Sequence, residues 1–165
     1  MQSLDLVRHN LEKSRDRVLS RVEEMAAHAV VFPTPRGGGN TIWVLGHLAY
    51  IEALITSRFM RGEENPLAAW EAVFDGSAVS GTIGDYPPFD EVLAECRRRR
   101  ADTLALVSGL AEDDLDRPAA ACPEGFEETF GTWRSCLQFC ADHWYMHRGQ
   151  LADARRAAGL ERMWL

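Results

Sequence analysis

The chain has 165 residues, 46% apolar and 26% charged, with a formal net charge of −7. Length and composition suit one soluble globular domain over residues 1–165, large enough to bury about 70% of its unfolded surface. The acidic balance argues against a nucleic-acid partner, which needs a basic face, and no apolar run approaches the roughly 18 residues that span a bilayer.

The N-terminal MQSLDLVRHNLEKSRDR is charged throughout and has no apolar segment, so a secretory signal is not expected and a cytoplasmic setting is. Leu4, Val7, Leu11, Val18, Val22, Met25 and Ala29 recur at helical spacing, which predicts an amphipathic helix over 3–29. His9 falls on its polar face, and His28 lies near its end, where an imidazole can meet terminal carbonyls. Pro33, Pro35 and Gly37 to Gly39 then mark a loop. Asn40 or Thr41 caps a second helix that runs to about Arg61 before Gly62 stops it. It is apolar around most of its circumference and should be buried, with Trp43, His47, Tyr50 and Leu54 on one stripe. Gly46 beside His47 permits close approach of another backbone.

Residues 66–74 predict a short extra helix in which Trp70 and Phe74 cover something. The segment from Asp75 to Pro88 reads as a fourteen-residue loop, long enough to suggest a role near a site. A third long helix starts at Pro87 or Pro88 and runs to about Leu110, with Phe89, Val92, Cys96, Thr103, Leu106 and Leu110 inward. The run Arg97 to Arg100 lies on it; four consecutive residues point around the whole circumference, so the expectation is a solvated, ion-paired surface. Residues 111–128 form a second long connection. The last helix begins at Thr129 or Thr132 and reaches Ala158, with Gly159 as its cap. The order predicts an all-α four-helix bundle. The tail ends in an apolar Met-Trp-Leu suited to docking on the body or on a second subunit.

The last helix carries CLQFCADHWYMHRGQ over 136–150. Positions i and i+4 share a helix face, so His143 and His147 can offer two imidazoles to one metal ion. Cys136, Cys140 and Gln150 fall on the same face, within an arc of about 80°. His47 is the other histidine on a buried helix face, and facing helices of a bundle assemble metal sites in their core. Three buried imidazoles without a metal would each have two ring nitrogens to satisfy. A zincin protease is excluded, because its HExxH glutamate is replaced here by Trp144. The chain has four cysteines but no CxxC pair, so a thiolate zinc cluster is not expected.

NTIWVLGHL in the second helix and DHWYMHRGQLADARRAAGL at the C-terminus resemble the DinB/YfiT-like superfamily of metal-dependent proteins. That resemblance implies a four-helix bundle with one histidine on the second helix and an HxxxH pair on the fourth, often followed by Arg-Gly-Gln. It implies that His47, His143 and His147 bind a divalent metal such as zinc, nickel or manganese. Three imidazoles with open positions are the arrangement of a catalytic metal, which activates bound water or a bound thiol. Characterised members include transferases and isomerases that use a low-molecular-weight thiol such as bacillithiol or mycothiol. The expectation is therefore a thiol transferase acting on a small electrophile in detoxification or stress. A non-catalytic metal- or small-molecule-binding protein and a metal-dependent hydrolase stay open beside it. Family habit and the apolar tail together favour a homodimer. Tyr50 and Gln150, each one turn beyond a histidine, are the candidate catalytic residues, with packing as the alternative. Cys136 and Cys140 read as small buried residues.

Overall fold

In the first helix, α1 (Ser3–Leu19), the three- and four-residue spacing buries Leu4, Val7, Leu11 and Val18 on one side and leaves His9 exposed. The computed structural model describes residues 2–162, and among these it contains helices but no strand, only two isolated bridges. The expected continuous helix to residue 29 is interrupted. Arg21 adopts a left-handed conformation (φ 57°), and Val22–His28 is a separate 3₁₀ stretch. The reason is tertiary: Arg155, buried near the far end of the chain, donates to the Arg21 carbonyl and pairs with Glu24. The break keeps Val22 and Met25 in the core.

Asn40 caps α2 (Thr41–Ala53) by accepting from the Trp43 amide at 3.1 Å, and its own amide donates to the Ser80 carbonyl. Every residue from Thr41 to Tyr50 is buried. The helix widens to π-helical over Leu54–Phe59 and ends at Gly62 (φ 72°). A 3₁₀ turn at Ala68–Trp70 leads into α3 (Glu71–Phe74), the expected short helix. The Phe74 ring sits against Gly46, where an added Cβ would overlap it, so the approach that Gly46 permits is that of an aromatic side chain rather than a backbone. α4 spans Phe89–Ser108, α5 is a single turn at Glu127–Phe130, and α6 runs Trp133–Ala157. Thr132 caps α6 with a capping box to Ser135, and Gly159 (φ 74°) follows its end. The apolar Met163 to Leu165 lie outside the described residues.

α1, α2, α4 and α6 form the bundle, α1 packing on α4 and α6 and α2 packing on the same two. The core is two apolar clusters, one around Trp43, Leu48, Phe74 and Trp144, the other around Leu11, Ile55, Val107 and Leu137. One arginine touches both. Arg97 and Arg98 are exposed and paired with Glu23 and Glu95, as a solvated surface requires. Arg100 corrects that reading for the last member of the run: its side chain is fully buried. It follows Val92 and Cys96 on the inward face of α4 at four-residue spacing. It meets the buried Glu52 of α2 at 2.8–3.1 Å through Nε and Nη2. Nη1 donates to the Leu11 carbonyl and Ser14 Oγ of α1, and Nη2 to the Cys140 carbonyl of α6. The guanidinium lies 3.9 Å from the centroid of the Trp144 ring. Four helices thus meet at one side chain.

Removing one partner of such a pair strands a charge in the core. Glu52→Gln is therefore expected to lose about 3 to 5 kcal/mol in urea unfolding, and Glu52→Leu with Arg100→Met to recover most of it. A loss below about 1 kcal/mol in the single variant would contradict this role for the pair.

Candidate metal centre

Buried α2 brings His47 to face α6, where His143 and His147 lie one turn apart. The Nε2 atoms of His47 and His147 lie 3.2 and 3.1 Å from Nε2 of His143. One ligand atom from each of the three residues falls within 4.8 Å of the other two. Each ring is held from behind. His47 Nδ1 sits 2.7 Å from the Phe74 carbonyl, at the point where α3 passes into the long loop, and His147 Nδ1 sits 2.8 Å from Gln150 Oε1. Trp43 stacks on His47 (centroids 4.5 Å apart, planes within 10°) and Phe139 on His143 (5.3 Å, 20°). An added Cβ at Gly39 would lie 2.5 Å from Gln150 Oε1, so the glycine loop closes over the residue that orients His147.

These partners decide the tautomers. A carbonyl oxygen only accepts, so His47 and His147 carry their protons on Nδ1 and turn bare Nε2 lone pairs inward. His143 Nε2 can offer one proton at most to two such lone pairs. At least one buried acceptor is then left facing another nitrogen, which is costly in a protein interior. A divalent cation among the three removes the conflict. The N···N distances are also close to the roughly 3.3 Å edge of a tetrahedron with 2.0–2.1 Å zinc–nitrogen bonds. The residues present fit a metal ion.

The electrostatics keep the three imidazoles neutral. Burial pushes His143 down to about 2, helped by His147, His47 and Arg100. Burial likewise takes His147 down to about 4, with the Gln150 hydrogen bond opposing, and lowers His47 against the Phe74 carbonyl and Asp75. The cysteines on the same helix face are buried thiols: burial raises Cys136 to about 12 and Cys140 well above its usual value.

An apolar cavity of about 370 Å³ lies against the histidines, with His47 and His143 in its wall. Ile51, Ile55 and Phe59 line it from α2 and its π-helical end, Phe126 and Phe130 from α5 and its cap, and Phe139 from α6. None of these was singled out from the sequence as part of a site. Phe139 stands four residues before His143, a spacing that could have found it. The expected catalytic candidates sit elsewhere. Gln150 is behind His147 as its hydrogen-bond partner, and Tyr50 lines a neighbouring cavity that contains neither His47 nor His143. His9 and His28 are not in the cluster.

The model of the DinB superfamily matches residues 10–151. The chain belongs to the DinB superfamily. No curated protein matches the sequence significantly. The family assignment agrees with the helical bundle and with a histidine cluster able to hold a metal ion. Among the described residues no helix of this DinB protein is long and apolar enough to cross a membrane.

The lowered histidine pKa values set the acid stability of the metal-free protein. Between the ordinary value of 6.5 and the folded values, the unfolded chain binds protons that the folded chain does not. Stability is therefore complete above about pH 6.5 and falls as pH drops toward 4, by about 1.4 kcal/mol per pH unit for each such histidine. Urea unfolding of chelator-treated protein between pH 7.5 and 5 checks this. The slope should become shallower in His143→Leu, and equal slopes would contradict the assignment.

Proposed function

We propose that His47, His143 and His147 hold one divalent cation, zinc, nickel or manganese, and that the protein transfers a low-molecular-weight thiol to a small electrophile seated in the apolar cavity. The observation that carries this reading is the placement of two of the three converging imidazoles in the wall of that cavity. A cation held there supplies Lewis acidity that makes a thiol nucleophilic at neutral pH.

The chain's own residues have distinct roles. The three histidines present Nε2, while the Phe74 carbonyl and Gln150 fix the tautomers of His47 and His147. Trp43 and Phe139 brace two of the rings by stacking. Phe59, Phe126 and Phe130 give the cavity an apolar lining. The nearby thiols of Cys136 and Cys140 are held protonated by burial, which favours an external thiol over a cysteine of the chain. A peptidase-type base is missing next to His143, where Trp144 packs fully buried.

The purified protein should contain about one metal ion per chain, and His47→Ala and His147→Ala should lose it. Equal metal in wild type and variants would end the proposal. Gln150→Leu should weaken metal binding about 10- to 100-fold with the fold intact, as loss of an orienting partner does; unchanged affinity with lost turnover would instead make Gln150 catalytic. Metal-dependent conjugation of bacillithiol, mycothiol or glutathione to a bimane electrophile tests the transfer itself. Turnover of esters or amides without thiol would point to a hydrolase, and no turnover of either kind to a binding protein.

A further inference from the structure

A second cavity, about 630 Å³, adjoins the first and shares Leu54, Phe59 and Pro123 with it. Its character is different. The exposed Arg58, Glu64 and Glu71 border it, and the half-buried Asn65 and buried Tyr50 lie deeper. The Tyr50 hydroxyl is raised by burial and then by Glu71 and Asp75, while the Asn65 side chain and Arg58 act against them, so charges of both signs surround one hydroxyl.

Arg58 differs from most arginines on this surface. Arg97, Arg98, Arg117, Arg134 and Arg156 are each paired with a carboxylate. Arg58 shares a cavity with two glutamates, yet among the described residues none of the three forms an ion pair or a side-chain hydrogen bond. A guanidinium fork and separate carboxylates around one concave surface match a ligand that carries an anion and a cation together.

We propose that this cavity is the head-group subsite of the histidine centre and takes a zwitterionic, amino-acid-type group. Arg58 receives the carboxylate, and Glu64 and Glu71 receive the ammonium. The remainder of the molecule passes Leu54, Phe59 and Pro123 into the apolar cavity and reaches His47 and His143. The inference rests on the reading that a small molecule reacts at the histidines, and it adds the chemical class of that molecule's polar end.

Calorimetric titration with S-hexyl-L-cysteine, its N-acetyl derivative, its methyl ester and S-methyl-L-cysteine tests it, on metal-loaded and chelator-treated protein with metal content measured in each sample. S-hexyl-L-cysteine should bind at least tenfold tighter than each of the other three. Arg58→Gln should abolish the preference over the methyl ester alone, and Glu64→Gln with Glu71→Gln the preference over the N-acetyl derivative alone. Equal affinity for all four probes, no binding of any, or variants that weaken all probes alike would overturn the proposal. Protein that holds its metal but shows no head-group preference sinks this inference and leaves the metal reading standing. Protein that shows the preference but never holds metal does the reverse.

Discussion

The buried ion pair between Arg100 and Glu52 is the constraint on which the bundle depends. Two charges removed from water are tolerated only when geometry and hydrogen bonding are nearly complete. Here the guanidinium meets a carboxylate on α2, a carbonyl and a hydroxyl on α1, a carbonyl on α6 and the face of Trp144. Apolar packing alone would let the four helices slide and rotate, because a Leu or Val contact has little directional preference. A charge that needs five partners does not allow that. The pair also stands close to the histidines in sequence and in space: Glu52 is five residues beyond His47, and Cys140, whose carbonyl Arg100 grips, is three residues before His143. It therefore sets the relation of α2 to α6 within about one turn or two of each histidine.

From that register the histidine cluster follows. Once α2 and α6 are aligned, the i, i+4 pair faces His47, and local contacts do the rest. α3 delivers the Phe74 carbonyl to His47 because Gly46 leaves room for the Phe74 ring. The glycine loop before α2 leaves Gln150 room to reach His147. Residues outside the histidine cluster thus decide which nitrogen His47 and His147 turn inward. The aromatic wall built from α5, α6 and the π-helical end of α2 then keeps that volume apolar. π-Helical turns recur at functional sites, and here the widened turn lies between the two cavities, contributing Leu54 and Phe59 to both.

Much of this was legible in the residues. The histidine spacing, the buried second helix, the cap at Asn40 and the stops at Gly62 and Gly159 are local signals, and local signals survive folding. What was not legible depends on distant partners. Arg100 sits in a run of four arginines that reads as surface, and only its register with Val92, Cys96, Thr103 and Val107 separates it from its neighbours. The break at Arg21 is imposed by Arg155, more than a hundred residues away. Tyr50 and Gln150 share helix faces with the histidines, but a face spans a wide arc and says nothing about which cavity a side chain enters. The phenylalanine wall comes from elements joined by a long connection with no periodic pattern.

The proposed site would hold one divalent ion by three imidazole nitrogens and by no thiolate. X-ray absorption at the metal edge of the purified protein reads this directly. A zinc-loaded sample should show three imidazole-type nitrogen scatterers at about 2.0–2.1 Å, with light atoms completing the shell. A protein-derived sulfur at about 2.3 Å in the absence of added thiol would put Cys140 or Cys136 in the coordination sphere and contradict it.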